Sequence, residues 1–166
     1  MTTTVRKFEV QRTSIVSSQA FHDVVARLEA TVARPEVPTL GAALRAAKSE
    51  EELSVTIEAA VGDAGLMEFA RFDLGEVLRK RSGAKPRRSI RFLIGNPWIM
   101  SQMTIHISDA GSYAPVTVLV DERADGVHLT YDAMESFLLP YANDDALKVA
   151  RDLDAKVLKL LELAAN

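Results

Sequence analysis

The chain has 166 residues, a formal net charge of −3 and 48% hydrophobic residues, values typical of one soluble domain with a substantial core. The absence of cysteine excludes disulfide bonds, a thiolate nucleophile and cysteine-ligated metal centres. No run approaches the ~18 apolar residues of a membrane span, and the first ten residues lack the apolar stretch of a signal peptide, so we expect a single cytoplasmic domain over residues 1–166 with no membrane partner.

The first forty residues predict a strand followed by a helix. Residues 5–16 partly alternate between apolar and polar positions, which is typical of a half-buried strand. Its apolar side would be formed by Phe8, Val10 and Val16. Ser18 is a candidate N-cap for the helix that follows. The stripe of that amphipathic helix is formed by Phe21, Val24, Val25, Leu28 and Val32. Pro35 and Pro38 are expected to end it, because proline disfavours a helical residue before it.

Residues 35–62 predict a helical insertion between the first helix and the second strand. They are rich in Ala and Glu, and 39–62 has the pattern of two short helices. Ser49 with Glu52 fits a capping box, in which each side chain satisfies an amide at the start of a helix. A strand is expected next, at 66–72.

The following elements are a short helix, a strand and another helix. Asp73 has the position of an N-cap for a helix that ends near Gly83. The strand after it has an alternating apolar side formed by Ile90, Phe92 and Ile94. Pro97 then suits the first position of a helix over 97–107, with Asn96 as its N-cap.

The last third predicts a β-hairpin and a long helix. Strands at 114–122 and 126–131 flank an Asp-Gly turn, which is a strong hairpin signal. One face of these strands is apolar and consists of Val116, Val118, Val120, Val127, Leu129 and Tyr131. The long helix over 144–164 has a stripe of Leu147, Ala150, Val157, Leu161 and Ala164. The order of elements favours an α+β fold, with one antiparallel sheet of about five strands, helices on one face and the insertion at about 35–62.

Several of these segments resemble the family catalogued as domain of unknown function 302. The resemblance is carried by IGNPWIMSQM, YAPVTVLVDE and GVHLTYD, followed by a closing helix, while FDLGEVLRKR and the amino-terminal strand and helix fit the family's earlier half. Residues 35–62 look like an insertion relative to shorter members. The resemblance implies a curved antiparallel sheet similar to the half-fold of the TATA-binding protein, often in a dimer. It implies no activity, because the family has no established catalytic residues, and likeness to a DNA-binding fold does not predict DNA binding.

The strongest charge feature is a run of seven cations within thirteen residues, with no acidic residue among them. These cations are Arg79, Lys80, Arg81, Lys85, Arg87, Arg88 and Arg91. The first six form a candidate anion site, because clustered guanidinium groups are typical of phosphate recognition. The favoured alternative is a solvated loop next to a cationic helix end, since the chain is acidic overall and no aromatic residue interleaves with the cations. We therefore expect no nucleic-acid partner.

Catalytic and metal-binding patterns are sparse. His22, His106 and His128 are far apart and lack the spacing of a zinc site. Met103 and His106 lie one helical turn apart, which would suit a pair of haem ligands, but packing of the methionine in the core is the favoured interpretation. Ser112 is interpreted as a turn serine, and the sequence has no nucleophile elbow, phosphate-binding loop or dinucleotide motif. The sequence therefore predicts no catalytic residue, metal or cofactor.

The sheet face opposite the valines is the candidate functional surface. In the predicted arrangement it carries Arg91, Leu93, Thr117, Leu119, His128 and Thr130. Such a face is too apolar for a simple wet surface and too polar for a core, which is typical of a homodimer interface or a ligand-binding concavity. Asn96 and His106 are further candidates for ligand contact. Trp98, Met100 and Met103 could floor an apolar pocket, although packing in the core is favoured.

Three functions are compatible with these observations. The favoured one is a non-catalytic module that binds a small apolar or amphipathic ligand, or assembles as a homodimer, through the open sheet face. The alternative is an enzyme of unrecognised type that uses His128 or His106 with a nearby carboxylate as general acid or base. The third is phosphate or nucleic-acid binding through residues 79–91, with an affinity that falls steeply with salt.

Overall fold

The structure, a computed structural model, describes residues 1–81 and 87–166, which form one antiparallel sheet of five strands surrounded by seven α-helices. The strands are β1 (Arg12–Ser17), β2 (Met67–Asp73), β3 (Ser89–Gly95), β4 (Val116–Arg123) and β5 (Gly126–Asp132), and their order in the sheet is β1-β5-β4-β3-β2. The helices are α1 (Phe21–Thr31), α2 (Val37–Ala46), α3 (Glu50–Glu58), α4 (Leu74–Arg81), α5 (Pro97–Thr104), α6 (Met134–Leu138) and α7 (Asp144–Ala165). Short 3₁₀ helices lie at Ser108–Ser112 and Leu139–Tyr141. The predicted α+β fold is confirmed.

The main core lies between one face of the sheet and helices α1, α5, α6 and α7. All six alternating apolar residues predicted for the hairpin strands are buried, and so are the predicted stripes of α1 and α7. Burial of each such side chain stabilises the fold by roughly 1.5–3 kcal/mol. Because side chains alternate along a strand, the residues between these positions point to the opposite side of the sheet.

The predicted helical insertion is present as α2 and α3, which pack beside β2. Their small core is formed by Leu40, Ile57 and Met67, with Leu44, Leu53, Phe69 and Trp98 packed against it. Ser49 caps α3 as predicted, since its Oγ accepts a hydrogen bond from Glu52 N at 3.1 Å. The Glu52 carboxylate accepts from Lys48 N at 2.7 Å, one residue before the amide that a capping box would use.

A buried carboxylate fixes the position of α6. Asp154 of α7 accepts hydrogen bonds from Tyr131 Oη at 2.6 Å, Met134 N at 2.8 Å and Glu135 N at 3.0 Å. Burial raises the pKa of the Asp154 carboxyl, and the three hydrogen bonds oppose this shift. Burial, followed by the neighbouring Asp154 carboxylate, also raises the pKa of Tyr131. Asp154 thereby joins β5, α6 and α7.

The first strand differs from its prediction. β1 begins at Arg12 rather than at residue 5, and Val16 lies 50% exposed on the open side whereas Ser17 is buried. The inward position tolerates a serine because Ser17 Oγ donates a hydrogen bond to the Ala165 carbonyl of α7. Phe8 precedes the strand, and its ring packs in an aromatic cluster with Tyr113, Phe137 and Tyr141.

Several helix boundaries also differ. α1 has no side-chain cap, so the predicted N-cap at Ser18 is wrong. Pro38 does not terminate α1, which ends at Thr31, but lies in the first turn of α2. Proline is tolerated there because the backbone amides of the first turn have no acceptor within the helix. The helix predicted over 97–107 ends at Thr104. Asp73 caps α4 as predicted, but the expected end near Gly83 lies outside the described residues.

Candidate functional site

The open face is the side of the sheet opposite the main core. One row of residues crosses all five strands on this side, because each is the pairing neighbour of the next: Ser14, Thr130, Leu119, Arg91 and Phe72. Pairing neighbours point to the same side of a sheet. The structure therefore places Arg91, Leu119 and Thr130 in one line, and it adds Ser14 and Phe72 from the two edge strands.

A groove of about 360 Å³ runs along the open face. Its walls combine arginine, hydroxyl and apolar side chains, among them Arg91, Thr117, Thr130, Ser14, Leu74 and Leu119. A second groove of about 350 Å³ adjoins it and shares Arg91, Thr117 and Asp132. The open face thus offers a mixed apolar and polar concavity, of the kind that small-molecule sites use.

Two of the three arginines at the groove are neutralised by carboxylates. Arg12 forms a bidentate pair with Asp132, with Nε–Oδ1 and Nη2–Oδ2 distances of 2.6 and 2.7 Å. Arg123 forms a similar pair with Asp121, at 2.7 and 3.1 Å. Hydrogen bonding to the carboxylate raises the pKa of each guanidinium. Each arginine is thus matched by a carboxylate, so the two pairs contribute little net field to the groove.

Arg91 is different from these two arginines. Its Nη2 donates a hydrogen bond to Thr117 Oγ1 at 3.2 Å, and it makes no ion pair with a carboxylate of the described residues. The side chain is exposed and lies beside Leu119, its pairing neighbour on β4. A guanidinium in this state retains donors for an incoming acceptor. Arg91 is therefore the principal cationic group that the groove offers to a ligand.

A chain of polar side chains borders the groove. His128 Nε2 lies 2.9 Å from Asp125 Oδ1, and His128 Nδ1 lies 3.3 Å from Ser14 Oγ. Ser14 Oγ in turn lies 3.3 Å from Thr130 Oγ1. The tautomer that satisfies both histidine contacts carries its proton on Nε2, so Nδ1 accepts from the serine hydroxyl. The hydrogen bond with His128 lowers the pKa of Asp125.

The candidate residues from the sequence divide into two groups. Arg91, Thr117 and Thr130 line the same groove, and His128 joins them through Ser14. Asn96 and His106 lie elsewhere, on the helical side of the molecule, and do not contribute to the open face.

The position of Asn96 is explained by its hydrogen bonds. Its Oδ1 accepts from Trp98 N at 2.8 Å, and its Nδ2 donates to the Gly65 carbonyl at 3.0 Å. His106 is exposed in a wide, shallow groove lined also by Trp98, Asp145 and Asp152. Each residue therefore has a separate environment, and neither is near Arg91.

The basic segment is partly neutralised by neighbouring acids. Ion pairs join Arg79 to Asp73 at 3.4 Å, Lys80 to Glu76 at 2.9 Å and Arg88 to Glu122 at 3.3 Å. Arg81 and Arg87 are exposed, and Lys85 lies outside the described residues. Because three of the six candidate cations have carboxylate partners, the field available to a phosphate is weaker than the sequence run indicates.

The hypothesis that Met103 and His106 bind haem or a metal has no geometric support in the described parts of the chain. Met103 is fully buried in the main core, whereas the His106 side chain is exposed, so the two do not face a common site. In residues 1–81 and 87–166, no three His, Asp or Glu side chains are grouped so that they could hold a metal ion. In the same ranges, no helix has the length and apolar character required to cross a membrane.

Comparisons with known proteins agree on one family. A family model described as "Domain of unknown function DUF302" matches residues 42–164. The fold is similar to that in the crystal structure of an uncharacterized conserved protein DUF302 from Bacillus stearothermophilus, with a TM-score of 0.65, 11% sequence identity and coverage of 92% of this chain and 97% of that one. No curated protein matches the chain. At 11% identity the structural likeness speaks for the fold alone.

Proposed function

The chain belongs to the family of domain of unknown function DUF302, and from the chemistry of its sheet we propose that it is a non-catalytic, homo-oligomeric binding module. Its ligand is a small amphipathic molecule with an anionic group, bound on the open face. The observation that carries the proposal is the charge pattern of the groove. Two arginines are matched by carboxylates, while Arg91 has a hydroxyl partner, apolar neighbours and no carboxylate partner among the described residues.

The groove suits both ends of such a ligand. Arg91 supplies charge-assisted hydrogen bonds to a carboxylate or phosphate group, each worth about 1.5–3 kcal/mol. The hydroxyls of Ser14 and Thr130 provide further polar contacts, and Leu74 and Leu119 offer apolar surface to a hydrocarbon part. A purely ionic ligand would leave these leucines in water, so the mixed lining favours an amphipathic one.

Exposed apolar side chains support the homo-oligomeric part of the proposal. Phe72 on the open face and Leu74 and Val77 of α4 are exposed at one end of the groove, and Val16 is exposed on the opposite edge strand. Exposed apolar side chains at both edges of the open face favour an interaction surface. A second copy placed over the open face would bury these side chains and enclose the groove.

Native mass spectrometry of freshly purified protein tests both parts together. We expect a dimer that retains a small anionic molecule, and we expect Arg91→Met to lose that molecule. Arg45→Met, a substitution of an exposed arginine on α2, is the matched control and should retain it. A ligand-free monomer in the wild type would reject the proposal.

The polar chain from Asp125 to Ser14 favours a second candidate, an acyl-ester hydrolase. His128 Nδ1 is placed to take the Ser14 proton as Oγ attacks an acyl carbon, while Asp125 holds the proton on Nε2. The proton would then pass to the leaving alcohol, and water would release the acyl group. Fluorophosphonate labelling that is lost in Ser14→Ala but kept in the exposed-serine control Ser112→Ala would favour this enzyme. No labelling of the wild type would reject it.

A further inference from the structure

A second cavity lies on the helical side of the sheet, away from the open face. It has a volume of about 230 Å³ and opens between the end of β3, the start of β4 and helices α5 and α7. Its walls are apolar and include Phe69, Met100, Met103, Pro115, Val116 and Leu153. Trp98, which the sequence grouped with the two methionines, packs instead against α2 and α3. The cavity and the groove at Arg91 have no wall residue in common within the described parts of the chain.

The cavity wall offers no unused polar side chain. Asn96 is the one polar side chain among the described residues that line it. Its Oδ1 already accepts from the amides of Trp98 and Ile99, and its Nδ2 already donates to a backbone carbonyl. A charged or strongly hydrated molecule would lose its hydrogen bonds to water on entry without replacement. The wall chemistry thus selects an uncharged, apolar occupant.

A β-bulge builds one wall of this cavity. The pairing of β2 with β3 shifts register between Glu68 and Ala70, so Phe69 has no pairing neighbour. Bulges redirect a side chain relative to the regular alternation of the strand. Here the ring of Phe69 lies in the cavity wall and also packs in the small core of α2 and α3. The helical insertion thereby supports the wall from behind.

Gly95 keeps the cavity open. Its φ is not positive, and a Cβ at this position would lie 3.4 Å from Pro115 and 3.6 Å from the Phe69 ring, which is ordinary contact. The backbone therefore does not require glycine here. A larger side chain would instead extend toward the wall residues and fill part of the space.

We propose that this cavity is a binding site for a small, uncharged apolar molecule, of the size class of a substituted benzene. An apolar cavity of roughly 150 Å³ is sufficient to bind benzene, and the volume here is larger. Met100 and Met103 provide flexible, polarisable side chains that adapt to different ring shapes. Among the described residues, none lines both this cavity and the groove that holds Arg91, Ser14 and Thr130. The adjoining second groove shares Ala114, Pro115 and Val116 with the cavity. The site therefore does not depend on the ligand proposed for Arg91.

Titration with toluene tests the site directly, with methyl-labelled methionine as the reporter in NMR spectra. We expect saturable shifts at the methyls of Met100 and Met103, while Met134, buried elsewhere in the core, changes little. Gly95→Val should weaken toluene binding at least tenfold. Gly111→Val, at an exposed glycine whose added Cβ would also make ordinary contact, is the matched control and should leave binding unchanged.

Three further measurements decide between the possible causes of a negative result. Gly95→Ala narrows the cavity less than Gly95→Val does, and its affinity for toluene should lie below that of the wild type by a smaller factor. This variant still tests the site if Gly95→Val does not fold. Benzoate, the charged analogue of toluene, should not shift the two methyls. Absence of toluene shifts at Met100 and Met103, or equal binding of benzoate there, would overturn the proposal. Arg91→Met should leave toluene binding intact, which separates failure of this site from failure of the open-face groove.

Discussion

Removal of the Asp154 carboxylate should strongly destabilise the protein. Asp154→Ala leaves Tyr131 Oη and Met134 N without their acceptor, and both groups are buried. Each unsatisfied buried group costs about 1–3 kcal/mol, whereas Glu135 N is less buried and can regain a water partner. We therefore expect a loss of about 2–6 kcal/mol in the free energy of unfolding, a large part of the ~5–15 kcal/mol of a typical domain.

Urea unfolding followed by circular dichroism measures this loss. Asp152→Ala removes an exposed carboxylate from the same helix and should change the free energy of unfolding by no more than about 0.5 kcal/mol. Asp154→Asn keeps one oxygen acceptor but turns an amide toward Glu135 N, so an intermediate loss of about 1–2 kcal/mol is expected. A decrease of less than about 1 kcal/mol in the free energy of unfolding of Asp154→Ala would show that this carboxylate does not hold α6 in place.

The same residue predicts a pH dependence. Burial raises the pKa of Asp154 in the folded state above its ordinary value of 3.8. The native state then binds this proton more tightly than the unfolded state. The protonated carboxyl therefore adds to the free energy of unfolding below pH 3.8, and this contribution is lost as the pH rises through the raised pKa of the folded state. The stability of the wild type relative to Asp154→Asn should therefore fall as pH increases from about 4. A relative stability that rises over this range would contradict the stated direction.

Two other predictions concern carboxylates and their hydrogen-bond donors. Glu68 is 3% exposed and pairs with Arg71 at 2.5 Å, so Glu68→Gln should lower the free energy of unfolding, measured in urea, by about 3–5 kcal/mol. Glu29→Gln removes the more exposed carboxylate that contacts the same arginine and should lower it by less than about 1 kcal/mol. Equal losses in the two variants would show that burial of the carboxylate does not set the cost. The hydrogen bond with His128 lowers the pKa of Asp125. In His128→Ala, the titration midpoint of the Asp125 carboxyl, followed by carbon-detected NMR, should therefore return toward its ordinary value. An unchanged midpoint would exclude that hydrogen bond as the cause of the lowered pKa.

Much of the core could be predicted from the sequence because alternation and helical spacing are local signals. Val118 and Leu129 lie in strands whose apolar positions recur at every second residue, and both are buried. The same alternation places Arg91 and Thr130 on the other side of the sheet. The rule failed in β1, where Ser17 takes the inward position because α7 supplies its hydrogen-bond partner. That contact joins distant parts of the chain and leaves no local signal.

The candidate site was less predictable because it depends on which strands are neighbours. Ser14 meets His128 across 114 residues of sequence, and only the pairing of β1 with β5 brings them together. The bulge at Phe69 likewise has no glycine or proline to mark it. Asn96 and His106 were selected for their local chemistry, and tertiary structure places them away from Arg91. Local sequence patterns therefore predict which side of a helix or strand is buried. The position of a binding site also depends on how the helices and strands are arranged relative to one another.

In the proposed function, Arg91 gives the open face its preference for an anionic amphipathic ligand. Calorimetric titration of octanoate and octanol into the wild type and Arg91→Met tests it most directly, because the two ligands differ only in charge and headgroup. We expect the wild type to prefer octanoate by roughly 10- to 150-fold, as one charge-assisted hydrogen bond of about 1.5–3 kcal/mol would give, and Arg91→Met to lose that preference. Equal affinity of the wild type for both ligands, or an undiminished preference in Arg91→Met, would show that Arg91 does not select the anion.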